Sequence, residues 1–270
     1  MSTVIAPRIA AAFAAPKAKT AALIPYVTGG FPSIAGCAQA IAAFIAGGAD
    51  IVELGVPYSD PVADGPVVQA SSHQALLAGV TTDDVFDLAE RFLAQVPFAL
   101  LVYVNNVLAY GPERFFARAA ASGVEALVIP DLPVEESTAL AVQAAACGVA
   151  IVPLAAPTST DARLGRLAAA ATSFVYCVSV TGVTGARAAV GDELPGLIER
   201  LRRQTERPLA VGFGIATPEH AARVATLADG VIIGSQLIKL LDEAASVEAG
   251  CVAVTELLFA ASAAMAAVSS

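Results

Sequence analysis

Apolar residues in this chain gather in short runs of four to six, separated by longer stretches whose apolar positions recur at helical spacing. Eight such runs can be marked: Ala22–Val27, Asp50–Leu54, Ala99–Val104, Ala126–Ile129, Ala150–Leu154, Phe174–Val178, Leu209–Gly212 and Gly230–Ile233. Most are continuously apolar rather than alternating, as expected of parallel strands covered on both faces. The segments between them carry helix punctuation. Ser33 precedes Ile34–Ala46, which Gly47-Gly48 stops; Pro112-Glu113 opens a segment that Gly123 ends; Thr217-Pro218-Glu219 opens a late one. Strands alternating with helices imply parallel βαβ units. Eight units in 270 residues predict one closed (β/α)8 barrel spanning residues 1–270. The stretch Ile9–Ala15 adds an N-terminal helix that closes the barrel floor. Extra helical segments follow the second run (Val67–Leu77 and Asp83–Gln95) and the last run.

Composition narrows the picture. A hydrophobic share of 57% supplies a large core, and the stretch Ala139–Pro157 is broken by Gln143, Gly148 and Pro153, so it predicts no membrane span. A net charge of −9 argues against a nucleic-acid partner. Cys37, Cys147, Cys177 and Cys251 lie far apart without a C-x-x-C pair, which fits reduced thiols in a cytoplasmic chain. His73 and His220 are the only histidines and fall on predicted helices, so no metal site is expected.

In this architecture chemistry sits at the C-terminal ends of the strands. Glu53 lies in such a position, inside Ile51-Val52-Glu53-Leu54-Gly55. A carboxylate in an apolar strand is either half of a structural ion pair or an acid/base group whose pKa its surroundings raise. The loop that follows, Pro57-Tyr58-Ser59-Asp60-Pro61-Val62-Ala63-Asp64-Gly65-Pro66, reads alone as a solvated turn. Directly after Glu53 it brings a second carboxylate, Asp64, to the same mouth. Glycines cluster after the last three runs, in Thr181-Gly182-Val183-Thr184-Gly185, Gly212-Phe213-Gly214-Ile215 and Gly234-Ser235. Backbone amides at such turns, and a helix N-terminus, can hold a phosphate without adding cationic side chains. The lysines are Lys17, Lys19 and Lys239, none within a run, which leaves a Schiff-base aldolase without its amine.

With these residues in place, the chain from about Ala22 to Lys239 resembles the tryptophan synthase alpha subunit family. The match is densest over Glu53-Leu54-Gly55-Val56-Pro57-Tyr58-Ser59-Asp60-Pro61-Val62-Ala63-Asp64-Gly65-Pro66, and Asp131-Leu132-Pro133-Val134-Glu135-Glu136 fits as well. The resemblance implies a lyase that cleaves indole-3-glycerol phosphate to indole and glyceraldehyde 3-phosphate. It implies Glu53, Asp64 and Tyr176 as catalytic residues, with Tyr176 at the end of the sixth strand. Tyr26, Leu101, Tyr103, Thr184 and Phe213 become the substrate pocket, and Gly185, Gly214, Gly234 and Ser235 the phosphate cradle. It further implies a beta-subunit partner in an α2β2 heterotetramer, docked through Pro57 to Pro61, Asn105 and Leu132-Pro133. Pyridoxal phosphate would belong to that partner, and no cofactor to this chain. Two positions depart from the family pattern, Val180 where arginine is frequent and Pro130 where a small residue is. Competing readings are another phosphate-binding barrel isomerase, a catalytically idle barrel kept as an allosteric partner, and a free-standing indole producer.

Overall fold

Parallel strand segments alternating with helices form a sheet that returns on itself. The structure is a computed structural model and describes residues 5–15, 19–178, 193–212 and 214–268. Its strands are β1 (Ala22–Thr28), β2 (Val52–Gly55), β3 (Phe98–Leu101), β4 (Val124–Val128), β5 (Ala150–Val152), β6 (Leu154–Ala155), β7 (Val175–Val178), β8 (Leu209–Gly212) and β9 (Gly230–Ile233). The order across the sheet is β5-β4-β3-β2-β1-β9-β8-β7-β6, every pairing parallel. Its two ends, β5 and β6, are separated in sequence by Pro153 alone. They are two halves of one stave: β5 pairs with β4 below the proline, and β6 pairs with β7 above it. Proline lacks the N–H that a continuous ladder needs, so the stave breaks there. The fifth apolar run is thus one barrel strand in two pieces.

Two apolar layers follow from strand alternation. Side chains such as Leu23, Val27, Val52 and Leu54 face the helices, while Ala22, Ile24, Ile51, Ala99, Ala126 and Val128 fill the inside. The inside is closed at the N-terminal end by helix α1 (Pro7–Ala14), whose Ile9 and Phe13 join the inner layer. The Phe13 and Phe174 rings meet at 5.3 Å. Glu125 accepts from the Arg8 and Ile9 amides at 2.9 and 3.0 Å, so a carboxylate caps the positive end of this plug.

The helices that bear on the site are α3 (Pro66–Leu77), α5 (Val104–Tyr110), α7 (Thr138–Ala146), α8 (Asp161–Ala170) and α11 (Ser235–Asp242). The other described helices are α2 (Ile34–Ala46), α4 (Thr82–Phe92), α6 (Pro112–Ala121), α9 (Leu194–Arg202), α10 (Pro218–Ala225) and α12 (Val247–Ala267). Helix α2 has the expected ends, with Ser33 accepting from the Gly36 amide. Helices α3 and α4 occupy the long interval after β2, and α11 and α12 follow β9. Helix α12 is long and apolar enough by composition to cross a membrane; here it packs on α10, α2 and α11.

Several expected boundaries shift. Asp50 is not in a strand: β2 begins at Val52, and Asp50 is buried in an ion pair with Lys19 at 3.0 Å. The third run ends as a strand at Leu101, and Val104 starts α5 instead. The reason is a distant cap, because Asp131 Oδ1 accepts from the Val104 amide at 2.9 Å. Tyr176 is the second residue of β7 rather than its end.

The Lys19–Asp50 pair ties the segment before β1 to the bottom of the barrel. Asp50 also accepts from the Leu23 amide, and Lys19 donates to Gly48 O. Removing one member strands a buried charge. Lys19→Met should therefore cost about 3–5 kcal/mol in urea unfolding at neutral pH; a cost below about 1 kcal/mol would show that Asp50 is satisfied without it.

Candidate active site

Glu53 and Tyr26 are register partners on β2 and β1, and Ala99 stands on the other side of Glu53. From Ala99 the same level continues through Ala126 and Ala150. A large polar side chain and a tyrosine thus stand level with three small alanines. Glu53 is only 2% exposed, and its Oε1 has no hydrogen-bond partner among the described residues. Among the described residues no cation pairs with Glu53. Burial, followed by the nearby Asp64 charge, pushes Glu53 from an ordinary 4.5 up to about 8.

Asp64 ends the loop between β2 and α3 and is also buried. Its pKa rises from 3.8 to about 6; burial raises it, and a hydrogen bond from Tyr103 pulls it back down. The two carboxyls therefore differ. Burial raises Glu53 further, so it holds its proton to higher pH than Asp64.

Two tyrosines frame them. Tyr26 and Tyr176 are buried, and burial raises both phenols well above the ordinary 10, so both stay neutral. Each leans over a glycine on the neighbouring strand. A Cβ on Gly55 would lie 2.2 Å from the Tyr26 hydroxyl oxygen, and one on Gly212 would lie 2.1 Å from that of Tyr176. The Tyr26 hydroxyl is 3.3 Å from Thr28 Oγ1, which lies 2.6 Å from Ser71 Oγ on α3. Leu101, half-buried, ends β3 and packs against the inner layer. Tyr103 is buried and caps the start of α5; its hydroxyl accepts from the Ala63 amide at 3.0 Å, and its ring stacks on Tyr58 at 4.8 Å. Tyr103 is thus bound to the loop that carries Asp64.

The far rim is built from main chain. Gly214 has φ +75°, a left-handed conformation that glycine adopts without strain. Gly234 precedes α11, no side chain caps that helix, and a Cβ on Gly234 would lie 3.4 Å from the Tyr26 ring. Ser235, exposed, is the first residue of α11. An uncapped helix N-terminus beside the glycines suits an anion next to the Tyr26 wall. Thr184, Gly185, Phe213 and Val180 lie outside the described residues.

Sequence reading placed the carboxylates but missed what holds them. Asn105 donates to the Tyr58 hydroxyl at 2.8 Å, and Asn106 donates to Pro57 O at 3.2 Å. Asp131, which the sequence marks only as part of a motif, fixes the start of α5 and with it Tyr103. No local signal marks these contacts, because their partners lie 27 to 49 residues apart.

Known proteins share both fold and sequence with this chain. Residues 13–267 match the family model described as tryptophan synthase alpha chain. A tryptophan synthase alpha chain of Gloeobacter violaceus is 48% identical over 253 residues, 92% of this chain and 92% of that protein. One from Geobacter sp. is 46% identical over 224 residues, 82% of this chain and 84% of that protein. Among solved structures, a Mycobacterium tuberculosis tryptophan synthase chain superposes with TM-score 0.87 at 34% identity, over 96% of this chain and 98% of its own. Sequence, topology and the residues at the barrel mouth agree: this chain belongs to the tryptophan synthase alpha chain family.

Proposed function

We propose that this chain, as one domain, cleaves indole-3-glycerol phosphate to indole and glyceraldehyde 3-phosphate. The observation that carries the reading is two buried carboxyls, Glu53 on β2 and Asp64 on the loop that follows, with Glu53 Oε1 unpartnered among the described residues and burial raising both pKa values, Glu53 the more. Protonated Glu53 delivers its proton to indole C3. The ring nitrogen becomes an iminium, and the Asp64 carboxylate accepts a hydrogen bond from its N–H and offsets the positive charge. The Glu53 carboxylate, now ionised, takes the proton of the adjacent glycerol hydroxyl. The bond from C3 to the glycerol carbon breaks, its electrons return to the iminium, and the hydroxyl carbon becomes the aldehyde. Glu53 ends protonated as it began. The substrate ring is the electron sink, so the step calls on no lysine.

Tyr26, Leu101 and Tyr176 supply flat or apolar walls for the ring. Gly214, Gly234 and Ser235 supply amides for the phosphate, with Thr184, Gly185 and Phe213 assigned alongside by resemblance. Gly214→Val sets a β-branched residue at φ +75° and crowds the anion. It should raise KM for the phosphorylated substrate by about tenfold or more, the scale of one lost charge-assisted hydrogen bond. An unchanged KM would remove Gly214 from the cradle.

The proposed function includes a cytoplasmic beta-subunit partner that holds pyridoxal phosphate in an α2β2 assembly. Apolar side chains exposed near the mouth support a docking face: Val62 is 75% and Leu108 53% exposed, and Pro133 is exposed beside a cavity of about 220 Å³ between α7 and α8. The deciding experiment measures indole release from indole-3-glycerol phosphate with and without a beta subunit. Release that the partner accelerates supports the reading, full release without it favours a free-standing lyase, and none under either condition defeats it.

A further inference from the structure

The loop that carries Asp64 is held from behind by the first two turns of α3. Ser72 Oγ accepts from the Tyr58 amide at 2.8 Å and donates to Tyr58 O at 3.0 Å. One hydroxyl thus satisfies both main-chain groups of a single loop residue. A helical serine commonly turns its hydroxyl back on its own helix. Neighbouring Ser71 does so, donating to Val68 O at 2.8 Å. Ser72, only 4% exposed, instead spends both its donor and an acceptor site on the loop. Gln69 assists, with Nε2 donating to Asp64 O at 2.8 Å.

What Ser72 holds leads to the carboxylate. The Tyr58 ring stacks on Tyr103 at 4.8 Å and 20°. The Tyr103 hydroxyl accepts from the Ala63 amide at 3.0 Å, which ties it to the residue before Asp64. We propose that Ser72 is a positioning residue for the reaction: by clamping Tyr58 it keeps Tyr103 against Asp64, and so keeps Asp64 aimed into the barrel. Ser72 itself touches no substrate. The proposal rests on the role given to Asp64 above.

Among the described residues, the groups that bear on Asp64 are Glu53 from β2, Tyr26 from β1, Tyr103 before α5 and Tyr176 from β7. Of these, Tyr103 supplies the hydrogen bond that holds Asp64 down against burial. If the clamp opens, that hydrogen bond weakens while the carboxyl remains buried, and the Asp64 pKa climbs.

The test compares the full-length wild-type chain with Ser72→Ala, and with Ser72→Cys as a variant closer in volume. The Asp64 carboxyl is titrated by carbon NMR, assigned with Asp64→Asn, and indole release is followed from about pH 5 to pH 9. Both variants should raise the Asp64 midpoint and move the acidic limb of kcat upward with it. At low pH kcat should fall about tenfold, the scale of a small misplacement at a reacting centre, while KM changes less than about twofold. An Asp64 midpoint that stays put overturns the role of Ser72, as does a loss of rate equal at every pH. The titration reads whether or not indole forms. A wild-type chain without turnover would defeat the functional reading, and the Asp64 midpoint alone would then decide the role of Ser72.

Discussion

Replacing Glu53 with glutamine should abolish indole formation and, above neutral pH, make the protein more stable. Glutamine keeps the shape but has no proton to deliver to C3 and no carboxylate to receive the hydroxyl proton. Loss of a positioned acid/base group costs about 10²–10⁴ in rate, and Glu53 serves in two steps, so the upper end is expected. The stability effect has a definite sign. Folding raises the Glu53 pKa from 4.5 to about 8, so between these values the native state binds the proton that the unfolded chain has released. Stability therefore falls as pH rises from about 4.5 and levels off above about 8. The rise corresponds to a penalty of about 5 kcal/mol at full ionisation. Glu53→Gln removes that penalty. In urea titrations, wild type and variant should agree to about 1 kcal/mol near pH 4, and the variant should gain about 5 kcal/mol near pH 9. Equal stability at both pH values would mean that Glu53 is solvated or paired in the native state.

The second large effect is expected at Gly55. A methyl group there would stand 2.2 Å from the Tyr26 hydroxyl oxygen and within 3.0 Å of two ring carbons. Tyr26 is 5% exposed and its hydroxyl is linked through Thr28 to Ser71, so the ring cannot move aside without disturbing its packed neighbours. Gly55→Ala should cost about 1–3 kcal/mol from overpacking. It should also reduce kcat/KM by about a hundredfold, because the displaced ring occupies space assigned to the indole. Gly55→Ala combined with Tyr26→Leu should recover most of the stability. If Gly55→Ala alone retains full turnover, Tyr26 does not border the substrate.

These two sites show what sequence could and could not reveal. Glu53 was legible because a carboxylate inside an apolar run is costly and demands a reason. The bounds of β8 and β9 were legible because glycine closes one and opens the other. Asp64 was legible only by its nearness to Glu53. The start of α5 was not, since Tyr103-Val104 reads as more of the same strand and its cap, Asp131, lies 27 residues on. Pro153 was visible, but not that one stave could pair on either side of it. Ser72 and the glycine–tyrosine contacts depend on register between strands and helices, which no window along the chain contains. The pocket residues Thr184, Gly185 and Phe213 lie outside the described residues, so their assignment rests on resemblance.

The mechanism stands on a carboxylic acid kept neutral inside an apolar barrel at a pH where exposed glutamates are ionised. The most direct measurement is infrared difference spectroscopy, wild type minus Glu53→Gln, following the carbonyl stretch of the protonated acid as pH is raised. The mechanism predicts a Glu53 acid band present at neutral pH that disappears with a midpoint of about 8. A band already lost by about pH 5, the behaviour of an ordinary solvated glutamate, would contradict it.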